Sequence, residues 1–172
     1  MTQHPIISFY SGTSSTPDGY TLSEIWGWGH ENLEYIHTYI QWLFPMKEMS
    51  NFNLSAPTLD DEAIKEFNTN QQLRDNLLRS FRLMLDFYGF TLDDTNGKVM
   101  IDKGADFEEK SGYWLNPYNH NFLRITRILR SMTILGCKEY AAAFLLCLNG
   151  LRDRHHHDIS ENTFTYWNNA VR

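Results

Sequence analysis

Residues 71–88, QQLRDNLLRSFRLMLDFY, decide how the rest of the chain is read. At about 100° per residue, Leu73, Leu77, Leu78, Phe81, Met84, Leu85 and Tyr88 share an arc of about 140°. That pattern predicts a helix with one face in a core. Asp75 with Arg79, and Arg82 with Asp86, stand four apart on the other side, the spacing of stabilising ion pairs. Gly89 follows as a stop.

Working toward the C-terminus, Phe90 to Leu92 and Val99 to Ile101 flank an Asn96-Gly97 turn signal, which predicts a hairpin with a tight turn. Two strands alone are marginal, so the hairpin is an excursion from a helical body. Residues 102–116 read as irregular. Residues 117–135 predict a helix capped by Asn116, with Pro117 at its first position and Gly136 at its end. Phe122, Ile125, Ile128, Leu129, Met132 and Leu135 form its apolar face. Residues 138–152 are apolar nearly all round, which predicts a helix at the centre of a bundle. Ser160 caps a last helix with Phe164, Trp167 and Val171 on one side.

Toward the N-terminus, Leu33, Ile36, Ile40, Leu43 and Phe44 predict a helix over 30–44 that Pro45 stops. Thr58 and Asp61 predict the cap of a short helix reaching about Phe67. Residues 8–20 are rich in Ser, Thr and Gly and end in the turn signal Pro17-Asp18-Gly19. They read as an ordered arm. The expectation is therefore an all-α fold, a compact multi-helix bundle with one small β-hairpin excursion. It forms a single domain over 1–172, with an N-terminal arm at 1–20 and a helical body at 21–172. The expected core includes Ile40, Leu43, Leu77, Phe81, Met84, Ile125, Ile128, Leu129, Phe144 and Leu148.

The 172 residues are 42% hydrophobic, 21% charged and 15% aromatic, a globular composition. Fifteen Lys and Arg against 21 Asp and Glu give a net charge of −6. A broad basic face for nucleic acid is disfavoured. The longest apolar run, Ala141 to Leu148, falls far short of the ~20 residues that span a bilayer. The first residues lack the basic and apolar regions of a secretory signal. With two cysteines, Cys137 and Cys147, both in an apolar stretch, the expectation is buried thiols in a reducing compartment, hence a cytoplasmic protein.

Candidate chemistry gathers on two helix borders. His120, Arg124, Arg127 and Ser131 span about 60° beside the apolar face of 117–135. Two guanidiniums and an imidazole so placed make an anion site, or else pair with carboxylates of neighbouring helices. Glu34, His37 and Gln41 form a similar border on 30–44, with Trp42 and Tyr39 on other faces. The functional reading is a cleft between the two helices for a small anionic or peptidic ligand. Arg124 and Arg127 would grip it, His37, Gln41 and His120 orient it, and Trp42 or Tyr39 wall it. A second reading makes His37 or His120 an acid/base of an unrecognised enzyme. A third ties the arginines into structural pairs within an interaction domain.

Other chemistry finds little footing. Glu34-x-x-His37 has the spacing of carboxylate-bridged metal bundles but lacks the second motif such sites need. His155-His156-His157-Asp158 reads as a solvated loop. No nucleophile elbow, glycine-rich phosphate loop or paired-cysteine motif is present. Nothing in the sequence points to a cofactor. The aromatics Trp26, Trp28, Tyr35, Tyr39 and Trp42 serve a stacking platform or ordinary packing.

His37-Thr38-Tyr39-Ile40-Gln41-Trp42-Leu43-Phe44-Pro45 and Asn119-His120-Asn121-Phe122-Leu123-Arg124-Ile125-Thr126-Arg127-Ile128-Leu129 resemble the conserved domain of the opioid growth factor receptor family. Phe9-Tyr10-x-Gly12, Pro17-Asp18-Gly19, Met84-Leu85-x-Phe87-Tyr88-Gly89 and Ala170-Val171-Arg172 follow the same order, so the resemblance covers nearly the whole chain. It implies a domain associated with receptor activity toward an opioid growth factor peptide, met-enkephalin. It carries over no catalytic residue. The two long stretches coincide with the two borders singled out on physical grounds.

Overall fold

The computed structural model describes residues 2–172. Among them are ten helices and one two-stranded sheet, so the helical fold with a hairpin excursion is what the chain forms. The helices are α1 (Pro5–Tyr10), α2 (Leu22–Trp26), α3 (His30–Tyr35), α4 (Ile40–Leu43), α5 (Asp61–Thr69), α6 (Gln71–Tyr88), α7 (Phe107–Trp114), α8 (Asn121–Ile134), α9 (Lys138–Arg152) and α10 (Glu161–Ala170). Strands β1 (Phe90–Asp93) and β2 (Met100–Lys103) lie between α6 and α7. The chain divides into two compact units, Met1–Leu83 and Met84–Arg172, with the boundary inside α6.

In the first unit, the apolar stripe of α6 does what its period requires: Leu73, Leu77 and Phe81 are buried. Asp75 accepts a hydrogen bond from Gln71 Nε2 at 2.7 Å. Arg79 lies over the Trp26 ring, 4.2 Å from its centre. The N-terminal arm carries a helix that the sequence reading left out. Ile6, Ile7, Phe9 and Tyr10 of α1 are fully buried, and the Tyr10 hydroxyl bonds to the Leu43 carbonyl and Ser80. The Pro17-Asp18-Gly19 turn forms, with Gly19 at φ 90° and its N–H bonded to the Thr16 carbonyl. α5 starts later than expected, because Asp60 rather than Thr58 accepts from the Ala63 N–H at 2.7 Å.

The expected helix over 30–44 is broken. Ile36 is extended, at φ −86° and ψ 124°, and α3 and α4 stand on either side of the break. Tertiary bonds fix it. Thr38 Oγ1 donates to Asp18 Oδ2 at 2.6 Å, and Asn53 Nδ2 donates to the Thr38 carbonyl at 3.1 Å. Tyr39 is fully buried and returns its hydroxyl to the Leu33 carbonyl at 2.7 Å. β-branched Ile36 and Thr38 resist the helix less strongly than these bonds oppose it.

In the second unit, β1 and β2 run antiparallel with Phe90 opposite Lys103 and Asp93 opposite Met100. A loop over 94–99 joins them in place of a two-residue turn, with Gly97 at φ 72°. The stretch expected to be irregular contains α7, whose Phe107, Ser111 and Trp114 are buried on one side. α8 starts at Asn121 rather than 117, because Tyr118 takes φ 62° and interrupts any helix from Pro117. α8, α9 and α10 pack on one another, and β2 lies along α9. Trp167 of α10 donates its indole N–H to the Phe122 carbonyl at 3.1 Å, and Ser160 caps α10 as expected. α9 is not surrounded: Ala141, Phe144, Leu148 and Leu151 are buried, whereas Leu146 is 75% exposed. The ten residues expected in the core are all buried.

Candidate functional site

The two borders fall in different units, and each is built from its own neighbours. In the first unit the break after α3 removes the common helix face. Glu34 belongs to α3, His37 is exposed in the break, and Gln41 and Trp42 belong to α4. The spacing that joined Glu34, His37 and Gln41 therefore does not describe them. What α4 provides instead is burial. Gln41 is 4% and Trp42 6% exposed, and the Trp42 ring meets Phe9 edge-on at 5.4 Å. Gln41 Oε1 and Trp42 Nε1 have no hydrogen-bond partner among the described residues. An acceptor and a donor on successive residues are thus buried without a protein partner, and a buried polar atom with no partner costs about 1–3 kcal/mol.

Most of the neighbouring aromatics are packing elements. Trp28 lies edge-on to Tyr20 and Tyr39 at 4.9 and 5.3 Å, and Trp26 Nε1 donates to Ser80 Oγ at 2.9 Å. Tyr39 is core rather than a wall. Tyr35 stands apart, 74% exposed.

In the second unit, α8 carries the basic border. Arg124 is 6% exposed, Ser131 fully buried, Arg127 half-buried and His120 exposed. His120 is the residue before the helix, with a helical backbone but no capping side-chain bond. Asn121 is the organising residue that sequence reasoning missed. It is fully buried, and its Oδ1 accepts from the Tyr88 hydroxyl at 3.3 Å and from Arg124 Nη1 at 3.4 Å. Its Nδ2 donates to Asn119 Oδ1 at 3.1 Å and lies 3.4 Å from His120 Nε2. The available signal was its position, since Asn121 stands four before Ile125 and seven before Ile128 on the buried stripe. A polar residue on such a stripe needs partners. One contact of the Arg124 guanidinium is thus to a neutral amide.

The His155–Asp158 stretch forms the turn between α9 and α10, with His155 Nδ1 3.3 Å from Asp158 Oδ2 and the His156 and His157 rings 4.0 Å apart. Among the described residues no group of His, Cys, Asp and Glu is arranged to hold a metal ion. No described helix is long and apolar enough to cross a membrane. Cys137 is buried and Cys147 half-buried, both as free thiols. Burial pushes the Cys147 thiol up to about 11, which makes it a slow nucleophile. Burial and a hydrogen bond to Asp94 raise Tyr140 to about 12.

Residues 2–172 match the model of the opioid growth factor receptor conserved region. The chain belongs to that family. Among members of the opioid growth factor receptor family, it is 39% identical over 127 residues to opioid growth factor receptor-like protein 1 of Xenopus tropicalis, covering 72% of this chain and 24% of that protein. It is 37% identical over 140 residues to the opioid growth factor receptor of Rattus norvegicus, covering 79% of this chain and 24% of the rat protein. The human receptor is 35% identical over 142 residues, 80% of this chain and 20% of its own length. The chain thus spans about a quarter of the length of these family relatives. No solved structure matches it.

Proposed function

We propose that this member of the opioid growth factor receptor family is a binding module for a small anionic or peptidic ligand. The observation that carries the reading is the pair of unmet polar atoms on α4, Gln41 Oε1 and Trp42 Nε1. One accepts and one donates, the complement of a peptide group, and a ligand that supplies both partners relieves the cost of two buried unsatisfied atoms. His37 lies exposed nearby in sequence and suits an orienting role.

Taken by itself, the second unit carries the anion-binding part of the reading on α8. Arg124 and Arg127, three apart on α8, present planar donor forks, and the apolar face beside them strengthens Coulomb attraction over that at an open surface. His120 precedes them by one turn. The relatives carry the name of a receptor, which fits a binding role. The two free thiols fit the cytoplasm.

The test is a thermal-shift panel of sodium phosphate, citrate, nucleotides and short peptides on the wild-type chain and on Arg127→Ala and Gln41→Met. A ligand at a hundred times its Kd adds about 2.7 kcal/mol of stability. A stabilising anion should lose its effect in Arg127→Ala, and a stabilising peptide in Gln41→Met. No shift from any probe at millimolar concentration, or shifts that both variants retain, would overturn the reading.

Burial of Arg124 favours the other reading kept from the sequence, a structural role for this arginine. Denaturation of the α8 variants separates the two.

A further inference from the structure

Away from all these residues, the second unit has a groove of about 600 Å³ between the hairpin and α9. One wall is the unbroken run from Lys98 to Lys103, which is β2 and the two residues leading into it. Side chains in a strand alternate between its faces. A groove lined by all four residues of β2 therefore follows the strand's edge. The other wall is Ala143, Leu146, Cys147, Gly150, Leu151 and Arg154. From Ala143 to Leu151 those positions lie on one stripe of α9, and Arg154 is in the turn after it.

The edge is open. Among the described residues the sheet has two strands, so β2 pairs with β1 on one side only. The walls also match in length: the four strand residues of β2 run about 13 Å and the eight helical steps from Ala143 to Leu151 about 12 Å. The lining is largely apolar, with Leu146 75% and Met100 49% exposed. Among its lining residues Lys98, Arg154 and Lys103, whose ammonium lies over the Phe107 ring at 4.5 Å, stand against one carboxylate, Asp102. In a chain of net charge −6 this is a local excess of positive charge.

We infer that this groove takes an extended acidic segment of a partner protein, which adds to β2 as a third strand. Its backbone meets the free edge of β2, its alternate apolar side chains lie on the α9 stripe, and its Asp or Glu residues face Lys98, Lys103 and Arg154. A strand edge offers backbone donors and acceptors in a row, which only another extended backbone can match along its length. A second copy is a poor occupant, since pairing β2 with its own equivalent sets Lys98 and Lys103 against the same cations.

Gly150 gives a clean block. A Cβ there meets nothing within 4 Å, and its backbone is not in the left-handed region. A larger side chain at this helical position therefore projects into the groove and leaves the helix at least as stable. The experiment pans a random ten-residue peptide library against the whole chain and measures the selected peptides by fluorescence polarisation. The expected peptides alternate apolar residues with Asp or Glu. They should bind at least tenfold more weakly to Gly150→Leu and to Arg154→Glu, and slow amide exchange in Met100–Lys103. Four results would overturn the inference. These are no enriched sequence, peptides without acidic residues, equal binding to both variants, or a dimer in sedimentation that Gly150→Leu dissolves.

Discussion

Asn121 and Arg124 meet on one face of α8, where the Asn121 side-chain carbonyl accepts from the Arg124 guanidinium at 3.4 Å and from the Tyr88 hydroxyl at 3.3 Å. A fully buried amide thus meets a nearly buried charge. Replacing it removes one acceptor from each of these donors. Asn121→Leu, similar in branching but with no acceptor, should cost about 1–3 kcal/mol through the lost hydrogen bonds. Urea denaturation measures this. A loss below about 0.5 kcal/mol would show that neither donor depends on Asn121.

Phe81 on α6 and Leu129 on α8 are both fully buried. Phe81→Ala should cost about 3–5 kcal/mol and Leu129→Ala about 2–5 kcal/mol, since each leaves a cavity as well as losing apolar burial. Wild-type midpoints for either variant would contradict the helix phases.

Those phases were legible because α6 and α8 repeat an apolar residue every three or four positions for ten residues or more. The 30–44 stretch shows the limit of that signal. Its apolar residues fit one arc, but Thr38 bonds to Asp18 and Asn53, and Tyr39 to Leu33, and those bonds cut the helix. Partners twenty and fifteen residues from Thr38 leave no mark in a local pattern. α7 was missed although Phe107, Ser111 and Trp114 carry the period, because a serine and a nearby glycine weaken it. The same limits govern the site. Arg124 and Arg127 could be singled out from spacing, whereas the unmet atoms of Gln41 and Trp42 appear only once neighbours are placed.

Gly89 joins α6 to β1 at φ 90°, and a Cβ there would stand 2.9 Å from the Phe107 Cα. Both the left-handed backbone and the close approach of α7 oppose any side chain. Gly89→Ala should lose more than about 1 kcal/mol, the usual cost of a left-handed non-glycine residue, before the contact is counted. An unchanged thermal midpoint would contradict this.

Lys110 bridges Asp106 and Asp86 at 2.8 and 3.1 Å. Its hydrogen bond holds the Asp106 carboxyl below the usual carboxylate range. A lowered folded pKa makes this contribution present at neutral pH and lost as pH falls through that value. Lys110→Met should raise the Asp106 pKa toward its ordinary value in an NMR titration and flatten the acid limb of stability. An Asp106 titration that does not move would remove Lys110 as the cause.

The binding role of the α8 arginines is tested most directly by equilibrium denaturation of Arg127→Ala with no ligand present. Arg127 is half-buried, and an arginine kept for a ligand predicts apo stability within about 1 kcal/mol of wild type, the range of an exposed ion pair. A loss of about 3–5 kcal/mol, the cost of stranding a buried charge, would contradict the binding role and make Arg127 a structural residue.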